Sequence, residues 1–304
     1  MKVLVTGGAG LVGMAVRQAL VDRGHDVTAV DMTDFGRVDA TLRLIDLTDG
    51  AAMEALAESE AIEAIVHCGA ISGPMFAKGR PLTIVETNID GTATLLDMAR
   101  RRKLHRFVFC SSIGVYGNVG KAVITEETPL QPTSVYGASK VAGEALVRAF
   151  AGEYGLGGVS LRPSRVYGPY RRGNCFIGAM IRDAAAGRTT VIACAPDFLY
   201  HYVYVDDVAQ ALITALEVET LPHFEYNVDA GQPMPMQAIA EIARSVIPGA
   251  RIELAPGVDD VADVQTGFDI SRIAADLDWR PRFDLARGID AYLKNIPAAR
   301  ALGV

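Results

Sequence analysis

A tyrosine, a lysine and a serine in this chain have the types and spacing needed to move a proton to or from a hydroxyl group. Tyr136 and Lys140 belong to the segment YGASK at the start of a predicted long helix, so they lie one turn apart on the same face. A phenol has an unperturbed pKa of about 10, and a neighbouring ammonium group favours its ionised form. Ser112 follows a predicted strand and supplies a hydroxyl to hold the reacting oxygen, with Ser111 as the alternative. Together they predict an acid/base site, although YxxxK alone is also typical of a structural tyrosine.

Glycines recur in the segment TGGAGLVG, between the first predicted strand and the first predicted helix. Gly7, Gly10 and Gly13 would let the backbone turn tightly and approach a pyrophosphate at the positive end of the helix dipole. The spacing alone also occurs in ordinary glycine-rich turns, but its strand-turn-helix context predicts a dinucleotide site. A positively charged nicotinamide ring beside Tyr136 would further favour the phenolate.

Asp31 ends the second predicted strand, where a carboxylate accepts hydrogen bonds from the adenosine ribose hydroxyls. The same charge would repel a 2′-phosphate, so NAD is favoured over NADP. Arg37 follows a few residues later and could soften this preference. The alternative is a surface aspartate at a strand end.

Short apolar strands alternate with helical segments through the first half of the chain. This alternation predicts an α/β fold, which is a doubly wound parallel sheet of the Rossmann type with a smaller C-terminal substrate lobe. We expect residues 1–163 to form the NAD-binding domain, with 200–228 returning to it, and residues 164–199 and 229–304 to form the substrate-binding lobe. Strands are predicted near 2–6, 26–30, 42–45, 63–68, 106–110 and 158–162, and helices near 10–23, 50–58, 81–101 and 134–154.

Composition excludes several classes of function. The chain has 304 residues, is 50% hydrophobic and carries a formal net charge of -7, which opposes general binding to nucleic acids or anionic membranes. No apolar run is long enough to span a bilayer. The four cysteines show no CxxC pairing and the histidines show no ligand spacing, so we expect no metal site and a reduced, cytoplasmic location.

The chain resembles the extended short-chain dehydrogenase/reductase family, in its NAD-dependent epimerase/dehydratase branch, over essentially its whole length. The resemblance rests on Asp31 and on segments that occur in the family's order: TGGAGLVG, DL at 46–47, HCGA at 67–70, TNIDGT at 87–92, FCSSIGVYG, YGASK, LRPSRVYGP and YVDDVAQAL. It implies catalytic roles for Ser112, Tyr136 and Lys140, of which the last two also contact the cofactor.

The same resemblance implies further contacts with NAD and a homodimer built from the helices near 81–101 and 134–154. Asp46 and Asn88 are implied in the cofactor site, although they also fit a polar loop and a polar helix face. The remaining residues implied to line that site are Leu11, Val12, Leu47, Gly69 and Ala70.

The sequence departs from the family pattern where substrates bind. Many nucleotide-sugar members carry arginines in R-D-F-x-x-V-D-D and R-P-G-D stretches, whereas this chain has YHYVYVDD at 200–207 and APGVDD at 255–260. Losing both partners of a diphosphate would remove several charge-assisted hydrogen bonds. Dehydratases usually place an Asp-Glu pair after the catalytic hydroxyl residue, where this chain has Ile113 and Gly114. A nucleotide sugar and a dehydration are therefore disfavoured.

Arg165 occupies the position at which relatives carry the asparagine of LRxxN, and its planar guanidinium group suits a carboxylate. A salt bridge to a neighbouring acid is the alternative. Arg171 and Arg172 are weaker candidates, and Ser72, in the segment SGPMF at 72–76, is a further substrate contact. These residues predict a small, polyhydroxylated, acidic substrate resembling a sugar acid.

Three functions follow from these features. The first is an NAD-dependent oxidoreductase that oxidises a secondary alcohol by Ser-Tyr-Lys chemistry. The second is a nucleotide-sugar epimerase that oxidises its substrate transiently and retains NAD. The third is a catalytically silent NAD-binding regulator, which would need only the cofactor half of the site.

Overall fold

The computed structural model describes residues 1–37, 39–73, 77, 79–120, 122–173, 175–259 and 262–296. Its strands, in chain order, are β1 (Lys2–Thr6), β2 (Asp26–Asp31), β3 (Leu42–Leu44), β4 (Ala64–His67), β5 (Arg106–Cys110), β6 (Gly158–Pro163), β7 (Arg165–Tyr167), β8 (Thr189–Ala193), β9 (Leu199–Tyr200), β10 (Tyr202–Tyr204), β11 (Glu225–Val228), β12 (Met234–Pro235) and β13 (Arg251–Ala255). Its helices are α1 (Leu11–Asp22), α2 (Gly50–Ser59), α3 (Pro81–Val85), α4 (Gly91–Arg101), α5 (Val135–Tyr154), α6 (Phe176–Ala185), α7 (Val205–Glu217), α8 (Met236–Val246), α9 (Ser271–Leu277) and α10 (Leu285–Lys294).

Seven strands form one sheet in the order β11-β6-β5-β4-β1-β2-β3, and all neighbouring pairs are parallel. The sequence order reverses between β1 and β4, so a crevice opens at the carboxyl ends of these two strands, where ligands bind in such sheets. The predicted doubly wound α/β fold is confirmed.

Both faces of the sheet are buried, which explains why its strands are continuously apolar. Val3 and Val5 on β1 face one core cluster, which includes residues of α1 and α7. Leu4 faces the opposite cluster, which contains residues of α2, α4 and α5. The alternation along β1 therefore places a helical layer on each side.

The predicted helix near 81–101 is interrupted in the middle. A π-helical turn, Glu86–Asp90, joins α3 to α4. Within it, Asn88 is buried and hydrogen-bonds backbone atoms of Ile71, while its backbone oxygen accepts a hydrogen bond from the Thr92 hydroxyl at 2.6 Å. Single π turns inside helices are frequent at functional sites. Here the turn ties α4 to the loop that follows β4.

The C-terminal half contributes to the sheet and also builds separate small sheets. β11 pairs with β6 in the main sheet, and α7 packs against α1. β7 pairs with β10, β8 with β13 and β9 with β12, each as a two-stranded sheet. The domain limits stay a prediction, and residues 297–304 of the predicted lobe lie outside the described residues. Within the described part of the chain, no helix combines the length and apolar character needed to cross a membrane.

Candidate active site

The glycine turn forms a narrow crevice at the carboxyl end of β1. Gly7 has a φ of 65°, and its carbonyl oxygen accepts a hydrogen bond from the Gly10 amide at 2.9 Å. A Cβ atom on Gly13 would lie 2.1 Å from that same oxygen, and one on Gly7 would lie 2.7 Å from the Cα atom of Gly69. Gly7 and Gly13 therefore have no room for a side chain, and the start of α1, whose first amides have no partner within the helix, lines the crevice.

Asp31 lies at the end of the neighbouring strand β2. Its Oδ2 atom accepts a hydrogen bond from the Ala9 amide at 3.1 Å, which fixes the carboxylate beside the glycine turn. Burial raises the pKa of Asp31 above its ordinary value, while the hydrogen bond from Ala9 and the charge of Arg37 act in the opposite direction. A partly buried acceptor at this position fits a ribose diol.

A cleft of about 1220 Å³ extends from the glycine turn to the start of α5. A pocket for one drug-sized ligand measures about 300–1,000 Å³, so this cleft has room for a dinucleotide and a small second molecule. The residues predicted from the sequence that line it are Gly7, Gly10, Leu11, Val12, Gly13, Asp31, Leu47, Gly69, Ala70, Ser72, Ser112, Tyr136, Lys140 and Arg165. The tight glycine turn, the Asp31 carboxylate and the size of the cleft together fit NAD.

Two residues implied for the cofactor site lie elsewhere. Asp46 is exposed and does not line the cleft, and its carboxylate accepts hydrogen bonds from the amide and hydroxyl of Thr48. Asn88 is buried behind the cleft wall, where it binds Ile71 and donates to the Ser139 hydroxyl at 2.9 Å. Both side chains already have protein partners, so direct contact with a cofactor stays a prediction for them.

Ser112, Tyr136 and Lys140 converge on one wall of the cleft. Ser112 follows β5, and its Oγ atom accepts a hydrogen bond from the Gly114 amide at 3.1 Å. Tyr136 lies in the first turn of α5 and lines the cleft beside Ser112, whose hydroxyl group influences the pKa of the phenol. The Lys140 ammonium group lies 5.9 Å from the centre of the tyrosine ring and donates to the Cys110 carbonyl oxygen at 2.7 Å.

The electrostatic environment sets the state of the tyrosine. Burial raises the pKa of Tyr136 to about 12, while the neighbouring Ser112 hydroxyl and the charge of Arg171 act to lower it. Burial also lowers the pKa of Lys140. The phenol is therefore protonated at neutral pH, and it requires added positive charge next to the ring to become an effective base.

Arg165 has a protein partner for its charge. Its NH1 atom lies 3.3 Å from Oδ2 of Asp259, which also accepts a hydrogen bond from the Tyr200 hydroxyl at 3.0 Å. The guanidinium group stacks 4.9 Å from the centre of the Tyr200 ring. The salt bridge that the sequence left as the alternative is thus present, and it satisfies part of the donor capacity predicted for a substrate.

Arg171 faces the same cleft without an ion pair among the residues that the structure describes. Its NH1 atom donates to the Val166 carbonyl oxygen at 3.2 Å, and its buried Nε atom has no hydrogen-bond partner in the described part of the chain. Its positive charge acts to lower the pKa of both Tyr136 and Tyr202. Ser72 also lines the cleft, whereas residues 74–76 of its segment lie outside the described residues.

Sequence reasoning missed a buried ionic network that lies directly behind the site. Glu144 lies one turn after Lys140 on α5 and accepts two hydrogen bonds from Arg162, at 2.6 and 2.9 Å, and one from Ser111 at 2.5 Å. Both charged side chains are 3% exposed. The spacing of Lys140 and Glu144 would have placed them on one helix face, but nothing local pointed to Arg162. Ser111, the alternative to Ser112, is committed to this network.

Metal ligands are not brought together among the described residues, which contain no group of three His, Cys, Asp or Glu side chains able to hold an ion. His67 is fully buried and hydrogen-bonded to Thr6 and Thr92. Burial lowers its pKa to about 3. His67 therefore acts as a neutral structural residue.

Comparison with known proteins agrees with this geometry. Residues 3–229 match the model of the NAD dependent epimerase/dehydratase family. A UDP-glucose 4-epimerase of Corynebacterium glutamicum is 31% identical over 266 residues, which cover 81% of this chain and 80% of the relative. The structure of a Thermus thermophilus UDP-glucose 4-epimerase with NAD is 27% identical, with a TM-score of 0.87 over 97% of this chain and 98% of that chain. An L-threonine dehydrogenase from Cupriavidus necator has the same fold, at 24% identity and a TM-score of 0.87, over 97% and 99% of the two chains.

Proposed function

The chain belongs to the NAD dependent epimerase/dehydratase family, and we propose that within it this enzyme is a dehydrogenase that oxidises a secondary alcohol of a small, polyhydroxylated acid. The observation that carries the proposal is that Tyr136 and Ser112 line the same cleft as the glycine turn. Lys140 lies against the same tyrosine ring.

In the proposed enzyme, NAD occupies the half of the cleft that contains the glycine turn and Asp31. Gly7, Gly10 and Gly13 would admit the pyrophosphate to the amides at the start of α1, and Asp31 would accept the ribose hydroxyls. Bound there, the nicotinamide supplies the hydride acceptor and a positive charge beside the phenol. The Tyr136 hydroxyl then lies at the end of the cleft where the substrate alcohol binds.

The chain's own residues account for the movement of the proton. Tyr136 removes the proton from the substrate hydroxyl, and Ser112 holds the reacting oxygen by donating its own hydroxyl hydrogen. Lys140 stabilises the phenolate through its charge, and its hydrogen bond to the Cys110 carbonyl oxygen keeps the ammonium group in place.

We place the substrate carboxylate against Arg171 in preference to Arg165. Arg165 already faces Asp259, whereas Arg171 has no ion pair in the described part of the chain and its charge reaches Tyr136. An arginine binds a carboxylate through two parallel hydrogen bonds, which suits a hydroxy acid whose alcohol lies at the phenol. Arg165 and Asp259 would then present donors and acceptors to further hydroxyls.

A nucleotide-sugar epimerase is the second candidate, because a relative of 31% identity carries that name. Tyr200 and His201 stand where many nucleotide-sugar members have the Arg-Asp pair, which removes one charged partner for a diphosphate. The two reactions share the first oxidation and differ in the fate of the hydride. A dehydrogenase releases reduced cofactor, whereas an epimerase returns the hydride to the substrate.

Incubation of the protein with NAD and a panel of sugar acids, aldonic acids and UDP-sugars separates the candidates. We expect NADH absorbance to accumulate with an acid, and isomerised product without NADH would favour the epimerase. Tyr136→Phe should lower kcat by about 10²- to 10⁴-fold while NAD affinity changes by a few-fold at most. Full activity of Tyr136→Phe would refute the assignment, and NAD binding without turnover of any substrate would favour a regulator.

A homodimer through α4 and α5 stays part of the proposal. Val135 at the start of α5 and Tyr154 at its end are exposed. Light scattering at micromolar concentration should give twice the mass of one chain. A monomeric mass would remove this part of the proposal without affecting the active site.

A further inference from the structure

Two loops from opposite sides of the cleft meet beside Asp31. One loop follows β2 and contains Phe35 and Arg37, and the other follows β7 and contains Tyr170 and Arg172. The Arg172 guanidinium carbon lies 3.9 Å from the centre of the Phe35 ring, and its NH2 atom donates to the Phe35 carbonyl oxygen at 3.1 Å. The Arg37 guanidinium carbon lies 5.4 Å from the centre of the Tyr170 ring. Each loop thus supplies one aromatic ring and one cation to the other.

The first loop is anchored to the glycine turn. Phe35 packs against the cluster of Ala9, Ala29 and Leu42, and its amide donates to the Thr33 hydroxyl at 3.0 Å. Arg37 donates a hydrogen bond to the Ala9 carbonyl oxygen. This side of the contact is therefore held against the floor of the cofactor crevice.

The second loop lies across the start of α1. A Cβ atom on Gly168, near the beginning of this loop, would lie 3.3 Å from Cδ1 of Leu11, the first residue of the helix. The Arg171 amide donates to the Gly168 carbonyl oxygen at 3.1 Å, which turns the chain back toward the cleft. Tyr170 and Arg172 consequently line the same cleft as Phe35 and Asp31.

We propose that Phe35, Arg37, Tyr170 and Arg172 form an adenosine clasp, a pair of cation–ring contacts that bridges the cofactor cleft and must open for a dinucleotide to enter or leave. All of these contacts join protein groups to one another. Opening therefore breaks the same interactions whether the cofactor enters or leaves. The clasp consequently controls the association and dissociation rate constants of the cofactor more than its dissociation constant.

The opening rate of the clasp would affect turnover in a dehydrogenase, but the clasp itself does not require that reaction. A dehydrogenase must release NADH after every turnover, and the opening of a loop often limits such a cycle. An epimerase keeps its cofactor and would be insensitive to the opening rate. The inference rests on NAD binding alone, because exchange rates are measured without any substrate.

Stopped-flow fluorescence of NADH measures both rates directly. In Arg172→Gln and in Phe35→Leu, we expect the association and dissociation rate constants to rise together by roughly five- to tenfold, the size of one exposed cation–π contact with a hydrogen bond. The dissociation constant should change by about twofold or less. The double variant should exceed the larger single variant only slightly, because both changes break the same contact.

The control is Arg188→Gln, which removes an exposed arginine that is bound to Asp183 outside the clasp and should leave both rates unchanged. If dissociation accelerates while association stays constant, these residues are direct cofactor contacts and the clasp is wrong. If neither rate changes, or if the two single variants multiply in the double variant, the clasp is likewise refuted. Failure of the proposed dehydrogenase reaction would leave all of these measurements intact.

Discussion

The buried pair of Glu144 and Arg162 should be the most sensitive point of the active-site wall. Both side chains are 3% exposed, and the carboxylate accepts three hydrogen bonds, two from Arg162 and one from Ser111. Glu144→Gln keeps the shape of the side chain but leaves the guanidinium charge buried without its counter-ion. Removing one partner of such a pair costs about 3 to 5 kcal/mol.

This cost converts into a measurable shift of the thermal midpoint. With an unfolding entropy of about 2.1 cal/mol/K per residue, a chain of 304 residues should lose roughly 5 to 8 °C in Tm. Differential scanning calorimetry gives the midpoint, and urea unfolding gives the free energy. The loss should also lower kcat, because Ser111 and Glu144 position the neighbours Ser112 and Lys140.

Two further variants test the reasoning. Lys294→Gln breaks an ion pair on the surface, in which the Lys294 side chain is 71% exposed and the Asp290 side chain is 52% exposed. It should change the free energy of unfolding by about 0.5 kcal/mol or less. The double variant Glu144→Leu with Arg162→Met removes both charges and should recover much of the stability lost in Glu144→Gln. A loss of less than about 1 kcal/mol in Glu144→Gln, or a double variant less stable than the single one, would refute the account of an uncompensated buried charge.

Three other outcomes follow from the geometry. Gly13→Ala should abolish NAD binding in a fluorescence titration, because its Cβ atom would lie 2.1 Å from a backbone oxygen. The control Gly152→Ala adds its Cβ atom in open space and should bind NAD normally. Equal NAD binding by the two variants would contradict the tight turn. The free energy of unfolding in urea should fall as the pH drops from about 6.5 toward 3. Burial lowers the pKa of His67 to about 3, so in this range only the unfolded chain binds a proton at this histidine. His67→Gln should flatten the pH dependence, and an unchanged dependence would show that His67 does not cause it. Arg171→Gln should move the pH profile of kcat to higher pH, because the arginine charge lowers the pKa of Tyr136. An unshifted profile would show that this charge does not act on the phenol.

The proposed clasp and the proposed acid/base site would act in two different steps of one cycle. In the proposed reaction, Tyr136 and Ser112 would act where the alcohol is oxidised. Phe35 and Arg172 meet beside Asp31, where the adenosine half of the cofactor would bind. If the enzyme is a dehydrogenase limited by cofactor release, Arg172→Gln should raise kcat, whereas an epimerase would show no gain.

Features that depend on local spacing could be predicted from the residues alone. The glycines of TGGAGLVG, the apolar strands and the YGASK segment predict the sheet, the cofactor crevice and the pairing of Tyr136 with Lys140, because each follows from the geometry of a single turn or helix. The structure confirms the sheet and places these residues on one cleft.

The pairing of charged groups across the fold became visible in the three-dimensional structure. Arg165 pairs with Asp259, far along the chain, and Arg162 pairs with Glu144 from a different element. Phe35 meets Arg172 because two loops from opposite sides of the cleft fold over it. Such partners are set by how strands and loops pack, and no periodicity within one segment encodes a contact between residues that distant loops bring together.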